Sequence, residues 1–460
     1  MTAASRSPLP LAGRRRALLC ARRRARPAAV VAALLLAPTL GCEDGAPAGP
    51  AGEELDLSAY VAIGNSLTAG FMNGALGLEG QSCSYPRLLA GQAGVGGQFS
   101  QPLVGAPGLV EPGSSEGRIE LLSLSPPTIE RATPAGAPLN AGEPGPYGNL
   151  GVPGALGAEA LVARSGATSL TDNPFFDFVF RGMGTWAGQV AERDATFVTV
   201  WLGNNDVLGY VLSGGEDPGF PTPTGEFAAA YEGLVDQLLV TTDRIVLLNV
   251  PPVTIVPYLT LVPNVVVDTA TLEPILGPGG ETVPLLGADG PLSPDDLVTL
   301  DAIERILGGD GIPVDMGGTG VPLPPSVVLD ASEQVVARGA VAAYNQAIVQ
   351  VAALHGLAVV DVHAIVSDID ENGLVVGDET LTTEFLVGGL FSLDGVHPTC
   401  KGQGVIANAL IDAIEERYGV SFPRVSIAGL PGVTLTVDGD RVPAPLPALG
   451  LPRFPLSRPR

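Results

Sequence analysis

An α/β fold, with a parallel sheet covered by helices on both faces, is predicted by three features of this 460-residue chain. From Ala59 onward short β-branched runs alternate with helical patterns, the arrangement such a sheet requires. With 46% hydrophobic residues the chain can bury a full core, and its length suits one large decorated domain. Only 16% of residues are charged while 61 are Gly and 43 are Pro, so much of the remaining length must lie in loops.

The five expected strands are Tyr60–Ile63, Tyr147–Gly151, Phe197–Leu202, Arg244–Val250 and Leu357–Val362. Helical patterns fall between and after them at Tyr85–Gln92, Met183–Arg193, Gly225–Val240, Glu333–His355 and Gly402–Tyr418. Thr224 is a candidate N-cap for the third helix, and Gly356 suits the C′ position after the fourth. Two stretches stand outside the alternation, about 94–146 and 258–329, and long connections of this kind are commonly functional loops or lids. The second is expected to hold its own helix. Ser293 would be its N-cap, Pro294 its first residue, and Leu297, Leu300, Ile303 and Leu307 its apolar stripe before Gly308. After Tyr418 the chain becomes Pro-rich, with a hairpin expected at Val433–Val442 turning on Asp438-Gly439. The main domain is therefore drawn at 59–423 and the tail, 424–460, as an appendage.

The first 41 residues carry eight arginines (Arg6, Arg14, Arg15, Arg16, Arg22, Arg23, Arg24 and Arg26), no acid, and the apolar run Ala28–Ala37. That run is short for a membrane span, and its basic flank matches an export signal. Cys42 follows Leu40-Gly41 and precedes a Gly/Pro/Ala-rich linker reaching residue 58, as the lipidated cysteine of a bacterial lipoprotein would; ordinary signal cleavage nearby, giving a secreted protein, is the alternative. Removing the leader arginines leaves 16 basic against 48 acidic residues, a net charge of −32. Such a surface repels phosphate backbones, and nucleic acid is not expected as a partner. Cys83 and Cys400 are the other two cysteines of an exported chain, and they are expected either to pair or to remain as buried thiols. A bridge would tie the region after Ser66 to the region after His397.

Three segments carry candidate chemistry. GNSLTAG at residues 64–70 places Ser66 on a turn between the first strand and a helix N-terminus, where free backbone N–H groups can hold an oxyanion. A serine hydroxyl needs a base and a group that orients that base. Among the three histidines, His355 ends a predicted helix and reads as structural. His363 follows the last strand and is the rival to His397, which is preferred because Asp394, three residues earlier in a Gly-containing turn, can fold back onto Nδ1–H. A solvated Asp-Gly turn is the plain alternative. Oxyanion donors are expected from the Ser66 backbone N–H, the Gly154 backbone N–H in NLGVPGA, and the Asn205 side-chain amide in GNND. Taken singly, Gly154 reads equally as a loop glycine and Asn205 as a turn residue. All of them, however, fall beside predicted strands or helices on one edge of the sheet, where open α/β sheets bind ligands.

GNSLTAG with Ser66, NLGVPGA with Gly154, GNND with Asn205 and SLDGVHPT with Asp394 and His397 resemble the sequence blocks of SGNH, or GDSL-type, hydrolases. The resemblance runs from Tyr60 to Tyr418, with longer segments between blocks than in small members. It implies a three-layer, flavodoxin-like α/β/α fold with a five-stranded parallel sheet, no metal or cofactor, and ester or thioester hydrolysis through an acyl-enzyme. The expected partner is a small-molecule ester, met by a monomer attached to a membrane through its N-terminal lipid or secreted. Asn65 departs from the pattern, standing where the family's string has an aspartate. The alternative to an enzyme is a catalytically silent surface lipoprotein that binds a ligand, against which the retention of all five catalytic-type residues argues. Whether the substrate is a lipid, aryl or acylated-sugar ester does not follow.

Overall fold

The computed structural model describes residues 55–124, 127–268, 273–437 and 440–443. The expected leader, Cys42 and the Asp438-Gly439 turn lie outside these residues. Five parallel strands form the central sheet: β1 (Tyr60–Gly64), β2 (Asn149–Gly151), β3 (Phe197–Trp201), β4 (Ile245–Leu248) and β5 (Ala358–Val360). Their order is β5-β4-β3-β1-β2. Every residue of β1, β3 and β4 is buried, as expected of strands covered on both faces. The order reverses at β1, which puts a crevice beyond its carboxyl end.

The principal helices are α1 (Ser66–Ala69), α2 (Tyr85–Gln92), α3 (Trp186–Glu192), α4 (Asn205–Leu212), α5 (Thr224–Leu239), α6 (Ala331–His355), α7 (Val362–Asn372) and α8 (Cys400–Tyr418). Alternate residues of β3 assign the layers. Trp201 meets Tyr85 of α2 edge-on and Phe197 meets Tyr418 of α8, while α2 and α8 pack on each other. The intervening Val198 and Val200 therefore face the opposite side. α3 and α6 each pack on α5. Among the described residues no helix is long and apolar enough to cross a membrane.

The five expected strands are all present: β1 runs one residue further, to Gly64, and the other four are shorter than expected. Val250 leaves the ladder because Asn345 bonds both its N–H and its carbonyl, at 2.7 and 2.9 Å. Val362 opens α7, capped by Asp361, whose carboxylate accepts from Ala364 N. Thr224 is not an N-cap: Pro223 holds an extended backbone before the helix, and Thr224 becomes its first residue. α6 begins two residues earlier than expected because Asp330 and Glu333 form a capping box. It ends at His355 with Gly356 left-handed, as expected.

The 258–329 insertion departs further from expectation. Ser293 and Asp296 close a turn rather than start a helix. Leu297–Val298 pairs with Val328–Leu329 as a small antiparallel ribbon, and helix appears only from Leu300. Burial of Leu297 and Val298 in that pairing outweighs the local capping signal. The insertion has a small apolar core of its own around Val266, Leu285 and Leu323. The 94–146 segment is likewise not plain loop: Ile119–Leu124 and Pro127–Arg131 form a hairpin. That hairpin is joined by Thr434–Val437, which in turn pairs with Asp440–Pro443, so the tail completes a second, four-stranded sheet.

Cys83 and Cys400 form a disulfide with 5.3 Å between their Cα atoms, closing 317 residues of chain. It pins the start of α8 next to the segment that follows α1. A loop of this length implies roughly 3–5 kcal/mol of stabilisation through the unfolded chain. The double variant Cys83→Ala/Cys400→Ala is expected to lose that amount in urea unfolding, and an unchanged midpoint would contradict the assignment.

Candidate active site

Close packing dictates the turn that presents Ser66. A Cβ at Gly64 would fall 2.0 Å from Thr68 Oγ1 and 2.8 Å from the Trp201 carbonyl, so only glycine lets β1 pass into α1 here. Asn65 caps α1, its Oδ1 accepting from Leu67 N at 3.0 Å. Ser66 is then the first helical residue, with a backbone N–H that has no intrahelical partner.

His397 arrives from the other end of the chain, and its Nε2 lies 2.9 Å from Ser66 Oγ. Its Nδ1 lies 3.1 Å from Asp394 Oδ2, in the i,i+3 turn the spacing predicts. The carboxylate only accepts, so Nδ1 carries the proton and Nε2 is left as the acceptor for the serine. Asp394 also accepts from the backbone N–H of Gly74, Val396 and His397 at 2.6, 2.9 and 2.8 Å. Burial alone would raise its pKa; the imidazole's charge and these hydrogen bonds more than offset that and bring it down to about 2. Gly395 supplies a left-handed turn (φ 71°), and Tyr258, at the start of the 258–329 insertion, packs so close that a Cβ would sit 2.8 Å from its nitrogen.

Sequence reasoning passed over two residues that hold this turn in place, Asn73 and Gly74, and placed a third, Phe71, at the active edge only as an apolar residue. Asn73 takes a hydrogen bond from Leu393 N and gives its own N–H to Ser392 Oγ, while Gly74 N binds Asp394. Phe71 packs its ring 4.8 Å from that of His397. The Asn-Gly dipeptide was the available signal, since it marks a turn, but not what the turn would touch.

Asn205 opens α4 and gives one amide hydrogen to the Ala155 carbonyl at 2.9 Å, the other having no partner among the described residues. Gly154, one residue earlier in that loop, has a left-handed backbone (φ 79°), and Asn173 Nδ2 ties the adjacent Pro153 carbonyl. Asp206 anchors the continuation of the loop through Gly157 and Ala158 N–H; burial raises its carboxyl pKa despite those bonds. Ser66, Asn205 and His397 line one cavity of about 80 Å³, whereas Gly154 stands outside its wall. The remaining lining is mainly aliphatic, including Leu208, Pro251, Val256, Val366 and Ile406.

The other two histidines do not join this group. His363 is the second residue of α7, its N–H bound to Asn249 Oδ1, and its neighbours Val362 and Val366 line the cavity where it does not. His355 lies 3.2 Å from Asp236 on the helix layer. A larger hollow of about 390 Å³, lined by Asp56, Asp194, Thr196 and Arg244, sits at the amino-terminal edge of the sheet and contains none of the candidate groups.

The family model described as GDSL-like lipase/acylhydrolase matches residues 60–410. No curated protein matches the chain. Among solved structures, an α/β-hydrolase enzyme from the metagenome of Lake Arreo, Spain, is 15% identical over 77% of this chain and 93% of its own, with a TM-score of 0.32. A lipase/acylhydrolase from Enterococcus faecalis is 11% identical over 80% and 97%, with the same TM-score. The family match, spanning most of the chain and both ends of the Ser66–His397 pair, leads to one conclusion: this protein belongs to the GDSL-like lipase/acylhydrolase family and is a hydrolase acting on esters.

Proposed function

We propose that the chain cleaves carboxylic esters through an acyl-enzyme formed on Ser66. The observation that carries this reading is the unbroken hydrogen-bonded series Ser66 Oγ, His397 Nε2, His397 Nδ1, Asp394 Oδ2. Ser66 Oγ attacks the ester carbonyl as its proton passes to His397 Nε2. The developing oxyanion is held by the Ser66 backbone N–H and the remaining amide hydrogen of Asn205, with the Gly154 N–H, in the loop that Asn205 ties through Ala155, as the third donor although Gly154 does not line the cavity. Collapse of the tetrahedral adduct expels the alcohol, which takes the proton from His397. Water, deprotonated by the same imidazole, then attacks the acyl group and restores the serine. Asp394 keeps the ring oriented and stabilises it when charged.

The aliphatic cavity wall supports an apolar acyl or aryl group as the part of the substrate lodged there. Acylated sugars fit that wall less well, since it offers few polar groups. The acidic chain, its basic leader and the Cys83–Cys400 disulfide support export, with Cys42 as the lipid-bearing residue of the mature protein. The protein would act as a monomer on small-molecule esters.

A fluorophosphonate probe is expected to label wild type and not Ser66→Ala; labelling of the alanine variant would move the nucleophile elsewhere. His397→Ala should lower kcat on a nitrophenyl ester by roughly three to six orders of magnitude, while His363→Ala keeps most activity. The opposite ranking would assign the base to His363. Because folding lowers the Asp394 pKa from 3.8 to about 2, its ionised form adds about 2–3 kcal/mol of stability above pH 4 that is lost as pH falls towards 2. Wild type should therefore lose stability more steeply than Asp394→Asn between pH 4 and 2, and parallel acid-unfolding profiles would contradict this.

A further inference from the structure

The asparagine that replaces the family's aspartate has a consequence for its neighbour across the sheet edge. Asn65 is fully buried, and its oxygen is committed to Leu67 N. Its amide nitrogen therefore faces Asn204 and donates to Asn204 Oδ1 at 3.0 Å. That bond fixes the Asn204 side chain with its oxygen occupied and its nitrogen unused. Asn204 is only 6% exposed, and its Nδ2 has no hydrogen-bond partner among the described residues. Buried donors are almost always paired in folded proteins, and this one is shut off from solvent as well, so it points to an acceptor brought by a group that enters the cavity Asn204 lines. Asn204 lines the same cavity as Ser66, Asn205 and His397, and a bound substrate is the group that enters it.

We propose that Asn204 Nδ2 is a further donor to the carbonyl oxygen of the ester held at Ser66, and that Asn65 is the positioning residue that keeps this donor free. The inference rests on Ser66 being the nucleophile. An aspartate at position 65 would accept from Leu67 N equally well, but its second oxygen has no hydrogen to give. It would instead draw in Asn204 Nδ2, turning that amide over and consuming the donor. The identity of residue 65 thus sets whether residue 204 touches the substrate. In the transition state Asn204 shares with Asn205 the charge that develops on the carbonyl oxygen, so its contribution belongs to kcat rather than KM.

Asn204→Ala, Asn65→Asp and the double variant, made in the full chain, test this with p-nitrophenyl butyrate turnover and fluorophosphonate labelling. Each single substitution is expected to lower kcat by at least about tenfold with KM within about twofold. Asn65→Asp added to Asn204→Ala should change kcat by less than about twofold, because the donor it would capture is already gone. Asn204→Asp, which still accepts from Asn65 but has no N–H, should show the same loss and serves if the alanine variant does not fold. A kcat for Asn204→Ala within twofold of wild type, in protein that labels normally, would overturn the proposal while leaving Ser66 as nucleophile. A full loss from Asn65→Asp in the Asn204→Ala background would also overturn it, by tracing the effect to charge alone. Wild-type protein that does not label at all would remove the nucleophile itself.

Discussion

The contact between Ser66 and His397 joins residues 331 positions apart, and the rest of the site depends on holding those two ends together. A single hydrogen bond of net worth about 1 kcal/mol cannot do this alone. The join is made instead by a strip of contacts alongside it. Asn73 and Gly74 bond to residues 392–394, Gln403 bonds to Tyr85 N and the Leu67 carbonyl, and the Cys83–Cys400 disulfide crosses between them. Most of these groups are buried, where water does not compete for the bonds. The nucleophile turn and the histidine turn thus behave as one packed unit at the carboxyl edge of the sheet.

Electrostatics within that unit follow from burial. Asp394 is drawn into the interior by four hydrogen bonds and keeps its charge there because each is made to the ionised form. Asp206, also buried, is bonded by the Gly157 and Ala158 N–H groups and the Thr222 side chain, yet burial outweighs these bonds and raises its pKa. The contrast suits their places. One carboxylate must face an imidazole that becomes charged during turnover, and the other only anchors a loop. The apolar cavity that Ser66 lines strengthens every charge interaction that develops there.

Much of this was legible in the amino-acid sequence, and the exceptions share a cause. The five strands and the helices Tyr85–Gln92 and Ala331–His355 are signalled locally, by β-branched runs, apolar periodicity and a terminal glycine. Ser66, Asp394 and His397 stand out because a tight Gly-Asn-Ser turn and a D-x-x-H spacing are short-range patterns. What could not be read depends on partners far along the chain. Leu297–Val298 looks helical until Val328–Leu329 pairs with it. The Ile119–Leu124 hairpin is completed by a strand more than 300 residues later. Asn73 and Gly74 look like any turn until the Asp394 loop settles onto them. The unpaired donor on Asn204 is likewise invisible without its bond to Asn65.

The central claim is that Ser66 becomes covalently acylated during turnover. Quenching the protein in acid during hydrolysis of p-nitrophenyl butyrate and mapping its peptides by mass spectrometry reads this directly. The account predicts a butyryl group on the peptide containing Ser66, accumulating in Asp394→Asn if deacylation is slowed. A butyryl group mapped to another side chain would contradict it.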